Sequence, residues 1–141
     1  MKKNSLLKTK RQRGFTLLEL LVVVSIISIL LALGVVAFST AQRKSRDAKR
    51  QGDIKAMQDG FEQFYAVEGS YDGACAAGSE YFPGGLPVDP KDQTAYACDD
   101  GEDDYCVCAT LETGGGNATS VSCDDYGSTS DGDYYCLTNL Q

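Results

Sequence analysis

An apolar run at residues 15–38 constrains this chain more than any other feature of its sequence. Its only charged side chain is Glu19, and its other polar groups are a few small hydroxyl residues. As an α-helix rising ~1.5 Å per residue, a run of this length would extend ~36 Å, enough to cross the ~30 Å hydrocarbon core of a membrane. The sequence therefore predicts a transmembrane helix over residues 15–38.

The two ends of the chain are predicted to lie on opposite sides of that membrane. Lys and Arg flank the run on both sides, so the positive-inside rule favours a cytoplasmic N-terminus only weakly. With no His and no CxxC, an even cysteine count in a Gly-rich region is typical of disulfides formed in an oxidising space. We therefore place residues 1–14 in the cytoplasm and residues 69–141 outside it. The six cysteines are Cys75, Cys98, Cys106, Cys108, Cys123 and Cys136.

A cleaved secretory signal or a plain membrane anchor would explain the apolar run less completely. The apolar region of a signal peptide is usually ~7–15 residues long, and this one is longer and contains a carboxylate. A plain anchor gives no reason for Glu19, because a charged side chain in lipid costs ~2.5–3.5 kcal/mol. We therefore expect Glu19 to have a partner.

Residues 14–19, with the sequence GFTLLE, follow a short basic leader and open the apolar run. This arrangement resembles the processing site of type IV prepilins. The resemblance implies that a prepilin peptidase cuts between Gly14 and Phe15 and that the new amino group of Phe15 is N-methylated. It also implies that Glu19 pairs with the amino terminus of a neighbouring subunit during assembly, so that two charges that are costly in lipid offset each other.

The same resemblance, to type IV pilins and type II secretion pseudopilins, implies an α+β fold. In that fold a long N-terminal helix packs on a small antiparallel sheet, and the C-terminal region is rich in disulfides. We expect a leader at 1–14, a transmembrane and assembly helix at 15–38, an amphipathic continuation at 39–68 and a globular head at 69–141. No proline interrupts residues 39–68, and apolar residues recur there at helical spacing. They are Ile54, Met57, Phe61, Phe64 and Tyr65, and the first four should face the sheet.

Five basic residues follow the apolar run: Arg43, Lys44, Arg46, Lys49 and Arg50. Before assembly we interpret them as a solvated flank beside lipid phosphates. Within a filament, our hypothesis is that they contact the acidic heads of neighbouring copies.

Short alternating runs in the head predict antiparallel strands at residues 94–98, 105–112 and 133–140. Residues 86–90, LPVDP, resemble the LPxDP element of major pseudopilins. In the second predicted strand Cys106 and Cys108 point the same way, which is poor geometry for a bond between them. Each should find a separate partner, and the sequence does not choose among the remaining pairings.

The acidic run at residues 99–104 has two interpretations. One is a solvated loop, and the other is a Ca²⁺ site, because hard carboxylate oxygens on a Gly-containing loop suit that ion although the spacing is not that of an EF-hand. The candidate ligands are Asp99, Asp100, Glu102, Asp103 and Asp104. No other cofactor is expected. A zinc site or a thiol oxidoreductase is disfavoured by the lack of His and CxxC.

The sequence thus predicts a structural subunit, and not an enzyme. No acid sits in an apolar sequence context that would tune it for catalysis, and the acidic head would repel nucleic acid. The expected partners are other copies or related pilins, the prepilin peptidase, the pilus or secretion assembly machinery and the membrane. The expected location is the inner membrane and then an extracytoplasmic filament. A pilus subunit and a secretion pseudopilin both fit, and the rival from another class is a membrane-anchored binding or adhesion module that never polymerises.

Overall fold

The computed structural model describes residues 14–78, 80–123, 127 and 129–140. Apart from Gly14, the predicted leader lies outside the described residues. The elements, in chain order, are helix α1 (Leu17–Glu68), a 3₁₀ turn η1 (Ala74–Ala76) and the strands β1 (Ala97–Asp100), β2 (Tyr105–Thr110) and β3 (Tyr134–Thr138). The chain divides into two compact units between Phe38 and Ser39.

Helix α1 is continuous over 52 residues, as the absence of proline predicts. It is helical through Gly34, Gly52 and Gly60, although glycine lowers helix propensity. Its N-terminal part is long and apolar enough to cross a membrane. The large apolar side chains of residues 15–38 are between 45% and 87% exposed, so in the single chain this unit has no protein core.

In the second unit, the three strands form one antiparallel sheet in the order β1-β2-β3. Strands β2 and β3 lie within the predicted ranges. The prediction for the first strand was wrong in position, because β1 begins at Ala97 and includes Asp99 and Asp100, which we had placed in a loop. These two acids pair with Cys106 and Tyr105 across a tight connection, and this local pairing outweighs the low strand propensity of aspartate.

The apolar stripe of α1 packs on the sheet, as its spacing predicts. Ile54 and Phe61 are fully buried and Met57 is 2% exposed. Phe61 meets the rings of Phe82 and Tyr105 edge to face, with centroid distances of 5.7 and 5.0 Å, a favoured aromatic geometry. The rest of this core includes Tyr71, Ala74, Tyr96, Val107, Ala109 and Leu137.

Gly60 is required by that packing. A Cβ atom at this position would collide with the ring of Phe82, whereas a Cβ at Gly52 would meet nothing within 4 Å. A glycine that lowers helix propensity therefore allows an aromatic ring to lie directly against the helix backbone.

Three disulfides tie the head together. Cys75–Cys98 joins η1 to β1, Cys106–Cys123 joins β2 to the loop that follows it, and Cys108–Cys136 joins β2 to β3. Cys106 and Cys108 thus have separate partners, as strand alternation predicts.

Strand β3 is also held by a side chain. The Asn117 amide donates to the carbonyl of Cys136 at 2.8 Å and its carbonyl oxygen accepts from the Cys136 amide at 2.7 Å. Asn117 therefore pairs with the strand much as another backbone would.

Candidate functional site

The first turn of α1 contains a reciprocal cap. The Thr16 amide and hydroxyl both donate to Glu19 Oε2, at 2.9 and 2.8 Å, and the Glu19 amide donates to Thr16 Oγ1 at 3.2 Å. Thr16 and Glu19 thus form the capping box that the T-x-x-E spacing allows, and they satisfy backbone donors that have no partner within the helix. In the single chain, hydrogen bonds from Thr16 stabilise the Glu19 carboxylate.

Gly14 and Phe15, the residues on either side of the predicted cleavage site, precede this cap. Both are exposed, with Phe15 at 87%, and a Cβ at Gly14 would meet nothing within 4 Å. The peptide bond between them lies just outside the regular helix, which begins at Leu17. This bond is therefore accessible and lies outside regular secondary structure.

A second cluster, which sequence reasoning missed, lies in the head and is centred on Arg50. The whole Arg50 residue is only 3% exposed. Its guanidinium binds the Asp89 carboxylate in a bidentate manner, with N–O distances of 2.6 and 3.0 Å. It also donates to Asp47 at 2.8 Å and to Glu112 at 3.0 Å. Three carboxylates from three parts of the chain therefore meet at one arginine, which its planar fork of donors can accommodate.

Asp47 and Arg46 extend this cluster, which we call the Arg50 cluster, to the segment after β2. Asp47 accepts hydrogen bonds from the Glu112 and Thr113 amides, both at 2.9 Å, and from the Thr113 hydroxyl at 2.7 Å. Arg46 forms a second bidentate pair with Glu112, at 2.6 and 2.8 Å. The cluster thus fastens the LPVDP segment and the end of β2 to a single turn of α1.

The pKa values of the three acids reflect these contacts. Hydrogen bonds from Arg50 lower the pKa of Asp89, although burial opposes the shift. Burial raises the pKa of Asp47, but hydrogen bonds from Glu112, Thr113 and Arg50 outweigh it and the net shift is downward. The pKa of Glu112 falls to about 2, chiefly through its hydrogen bond with Arg46. All three acids are therefore ionised at neutral pH.

One expectation from the sequence was wrong here. Arg46 and Arg50 do not form a solvated flank, because both are paired with acids of their own head, whereas Arg43, Lys44 and Lys49 are exposed. The burial of Asp47 and Asp89, which are 5% and 9% exposed, was not foreseen either, although their surroundings are polar rather than apolar. The i, i+3 spacing of Asp47 and Arg50 could have suggested that ion pair, but no local signal connects Arg50 with Asp89 or Glu112.

The candidate calcium ligands are divided between two elements. Asp99 and Asp100 lie in β1, and Glu102, Asp103 and Asp104 lie in the connection to β2. Asp100 accepts a hydrogen bond from the Cys75 amide at 2.9 Å. Within the part of the chain that the structure describes, the residues grouped closely enough to hold a metal ion are Cys106, Cys108 and Cys123, and all three are bonded in disulfides.

Two comparisons with known proteins found similarity to parts of this chain. Residues 9–35 match the prokaryotic N-terminal methylation motif. The type IV major pilin protein PilA of Myxococcus xanthus (strain DK1622) is 36% identical over 61 residues, which is 43% of this chain and 28% of that protein. No solved structure matches the chain. The alignment with the Myxococcus xanthus pilin covers well under half of that protein's length. The chain is thus similar to type IV pilins, through a prokaryotic N-terminal methylation motif at residues 9–35 and a partial match to a major pilin.

Proposed function

We propose that this protein is a prepilin that is cut between Gly14 and Phe15, methylated at Phe15 and polymerised through the N-terminal part of α1. The observation that carries the proposal is the combination of the methylation motif with an acid, Glu19, in a helix segment whose apolar side chains are exposed in the single chain. A surface of this kind is stable in lipid or against other helices of the same kind, and not in water.

The contacts of Glu19 suggest how the precursor and the mature subunit differ. Before cleavage, the hydrogen bonds from Thr16 reduce the cost of placing the carboxylate in the membrane. Cleavage creates an ammonium group on Phe15, which needs an anion. Pairing this ammonium with Glu19 of a neighbouring copy offsets both desolvation costs and draws the two helices together.

The decisive variant is Glu19→Gln, which keeps the size of the side chain and the capacity to accept a hydrogen bond but removes the charge. The matched control is Ser25→Ala, because the Ser25 hydroxyl donates within the helix, to the Val22 carbonyl at 2.8 Å, and carries no charge. Filaments sheared from cells and collected by centrifugation should be strongly reduced for Glu19→Gln and unchanged for Ser25→Ala, with both chains present in the membrane. Normal filament yield from Glu19→Gln would contradict the proposal.

The proposal includes a location and a set of partners. The subunit enters the inner membrane with its N-terminus in the cytoplasm, and its disulfide-bonded head lies on the oxidising side. Its partners are the prepilin peptidase, the assembly machinery and other pilins. Its role is mechanical rather than enzymatic.

A pseudopilin of a type II secretion system is the second candidate. The observation that favours it is the LPVDP segment, whose Asp89 holds the buried Arg50. Deleting the gene separates the two roles: loss of surface filaments with normal protein export supports a pilus subunit, and loss of export supports a pseudopilin.

A further inference from the structure

The Lys and Arg side chains of the second compact unit fall into two groups. Those that form ion pairs with acids of the same chain are Arg46, Arg50, Lys55 and Lys91. The others, which are exposed and form no ion pair among the described residues, are Arg43, Lys44 and Lys49. These three occupy two successive turns of α1 at the start of the unit, and we call them the basic collar.

The connection between β1 and β2 has an excess of the opposite charge. Its residues Glu102, Asp103 and Asp104 are exposed, and none of the ion pairs in the described part of the chain includes them. Hydrogen bonds hold its backbone: the Tyr71 amide donates to the Glu102 carbonyl at 3.1 Å, and the Gly101 amide donates to the Asp104 carbonyl at 2.8 Å. This acidic loop, residues 102–104, therefore presents three carboxylates on a backbone that is held in place.

The basic collar and the acidic loop lie at different levels along α1. Tyr105 directly follows the acidic loop, meets the ring of Phe61 at a centroid distance of 5.0 Å and donates to Glu62 at 3.3 Å. The acidic loop is therefore level with Phe61 and Glu62, whereas the collar lies at residues 43–49. A helix rise of ~1.5 Å per residue puts ~24 Å between the two levels. The free cations are thus near one end of the unit and the free acids are towards the other.

This separation of charge matters when heads are packed together. Residues 39–141 contain nineteen Asp or Glu and seven Lys or Arg, so neighbouring heads repel each other unless opposite charges meet. Two different, complementary surfaces on one subunit make a head-to-tail contact, which repeats along a helical filament instead of closing into a dimer. Subunits that leave the membrane in one orientation can make this contact when they are shifted along the filament axis.

We propose that the basic collar of one subunit binds the acidic loop of a second copy displaced by ~24 Å along the filament axis. The inference rests on the proposed assembly into filaments and adds a contact between heads to the contact that Glu19 makes between membrane helices. A second copy satisfies both charged groups, whereas lipid phosphates would satisfy only the collar. Arg46 and Arg50 take no part, because they are bound within their own head.

Zero-length cross-linking of intact filaments tests this contact. Filaments are sheared from cells, washed with chelator so that no metal ion occupies the acids, and treated with a carbodiimide, which joins a lysine amine to a carboxylate that it contacts. Peptide mass spectrometry should find Lys44 or Lys49 joined to residues 102–104 in filaments but not in the single chain in detergent. Lys55 lies 3.3 Å from Asp59 of the same chain and should be joined to it in both samples.

The outcomes separate this inference from the proposed function. Filaments that give the Lys55–Asp59 link, but no link from Lys44 or Lys49 to the acidic loop, would overturn the inference and leave the proposed function standing. The same result is expected if the collar contacts only lipid phosphates. A wild-type chain that forms no filaments would overturn both.

Reversal of the charges is an independent measurement. Lys44→Glu/Lys49→Glu should lower the yield of sheared filaments about tenfold or more, with the chain still present in the membrane, because like charges then face each other. Adding Asp103→Lys/Asp104→Lys should restore much of the yield. Lys55→Glu is the matched control, since it reverses an exposed cation of α1 outside the collar, and it should leave the yield unchanged. Normal yield from the first variant, or no recovery in the combined variant, would contradict the proposal.

Discussion

Replacing Arg50 by Met tests whether the buried cluster stabilises the head. Methionine keeps most of the side-chain length but removes the guanidinium that binds Asp47, Asp89 and Glu112. The three acids would then face one another with one cation missing, and two of them are nearly inaccessible to water. Repulsion and incomplete solvation of the acids both favour unfolding.

The expected loss is large for a unit of this size. Removing one member of a buried ion pair costs about 3–5 kcal/mol, and a small domain is stable by only about 5–15 kcal/mol in total. A loss of 3 kcal/mol corresponds to a fall in Tm of about 12 °C or more. Arg50→Lys should fall between Met and the wild type, because lysine keeps the charge but cannot form the bidentate pair with Asp89.

Lys49→Met is the matched control, because Lys49 is adjacent, belongs to the same basic segment and is exposed. It removes the same charge, and we expect a change within about 0.5 kcal/mol. Thermal unfolding of the full-length chain in detergent, followed by the near-ultraviolet circular dichroism of its tyrosines, measures both. Equal shifts for the two variants, or a loss below about 1 kcal/mol for Arg50→Met, would show that the cluster adds little to stability.

Three further predictions concern the head. Gly60→Ala should destabilise the head by about 1–3 kcal/mol in chemical denaturation, because the new methyl group meets Phe82. The control, Gly52→Ala, should stabilise it by up to about 1 kcal/mol. A change of the same sign in both variants would contradict the packing of Phe82 against Gly60. The stability contributed by Asp47, Asp89 and Glu112 should be present above about pH 5 and disappear towards about pH 2. Each of these acids has a lower pKa in the folded state than in the unfolded state, so acid protonates the unfolded chain first. A melting temperature that does not change over this pH range would contradict the prediction. If residues 99–104 bind Ca²⁺, as their oxygen ligands suggest, calcium should raise the melting temperature of the full-length chain above its value in chelator, and coincident transitions would exclude the site.

The long helix and two of the three strands could be predicted from sequence because their signals are local. A proline-free stretch and apolar residues at helical spacing define α1, and period-two alternation defines β2 and β3. The position of β1 could not be predicted in this way. Its acids, Asp99 and Asp100, are typical of loops, and they are in a strand only because β2 lies beside them.

The Arg50 cluster and the disulfide pairing could not be predicted from local sequence patterns, for a different reason. Arg46 and Arg50 follow an apolar run, where basic residues usually face lipid head groups, and nothing nearby in sequence indicates acids 39 and 62 residues further on. The pairing of Cys108 with Cys136 depends likewise on the register of two strands separated by a long loop. Long-range contacts of this kind are fixed by tertiary structure, and a single sequence does not reveal them.

The proposed assembly of the subunit depends most on the removal of residues 1–14 and on the amino group that this creates. Intact-mass and N-terminal peptide analysis of the protein purified from its native filaments tests this directly. We predict a chain that begins at Phe15 and carries one methyl group on its amino nitrogen. A chain that retains the leader, or that begins at another residue, would contradict the account.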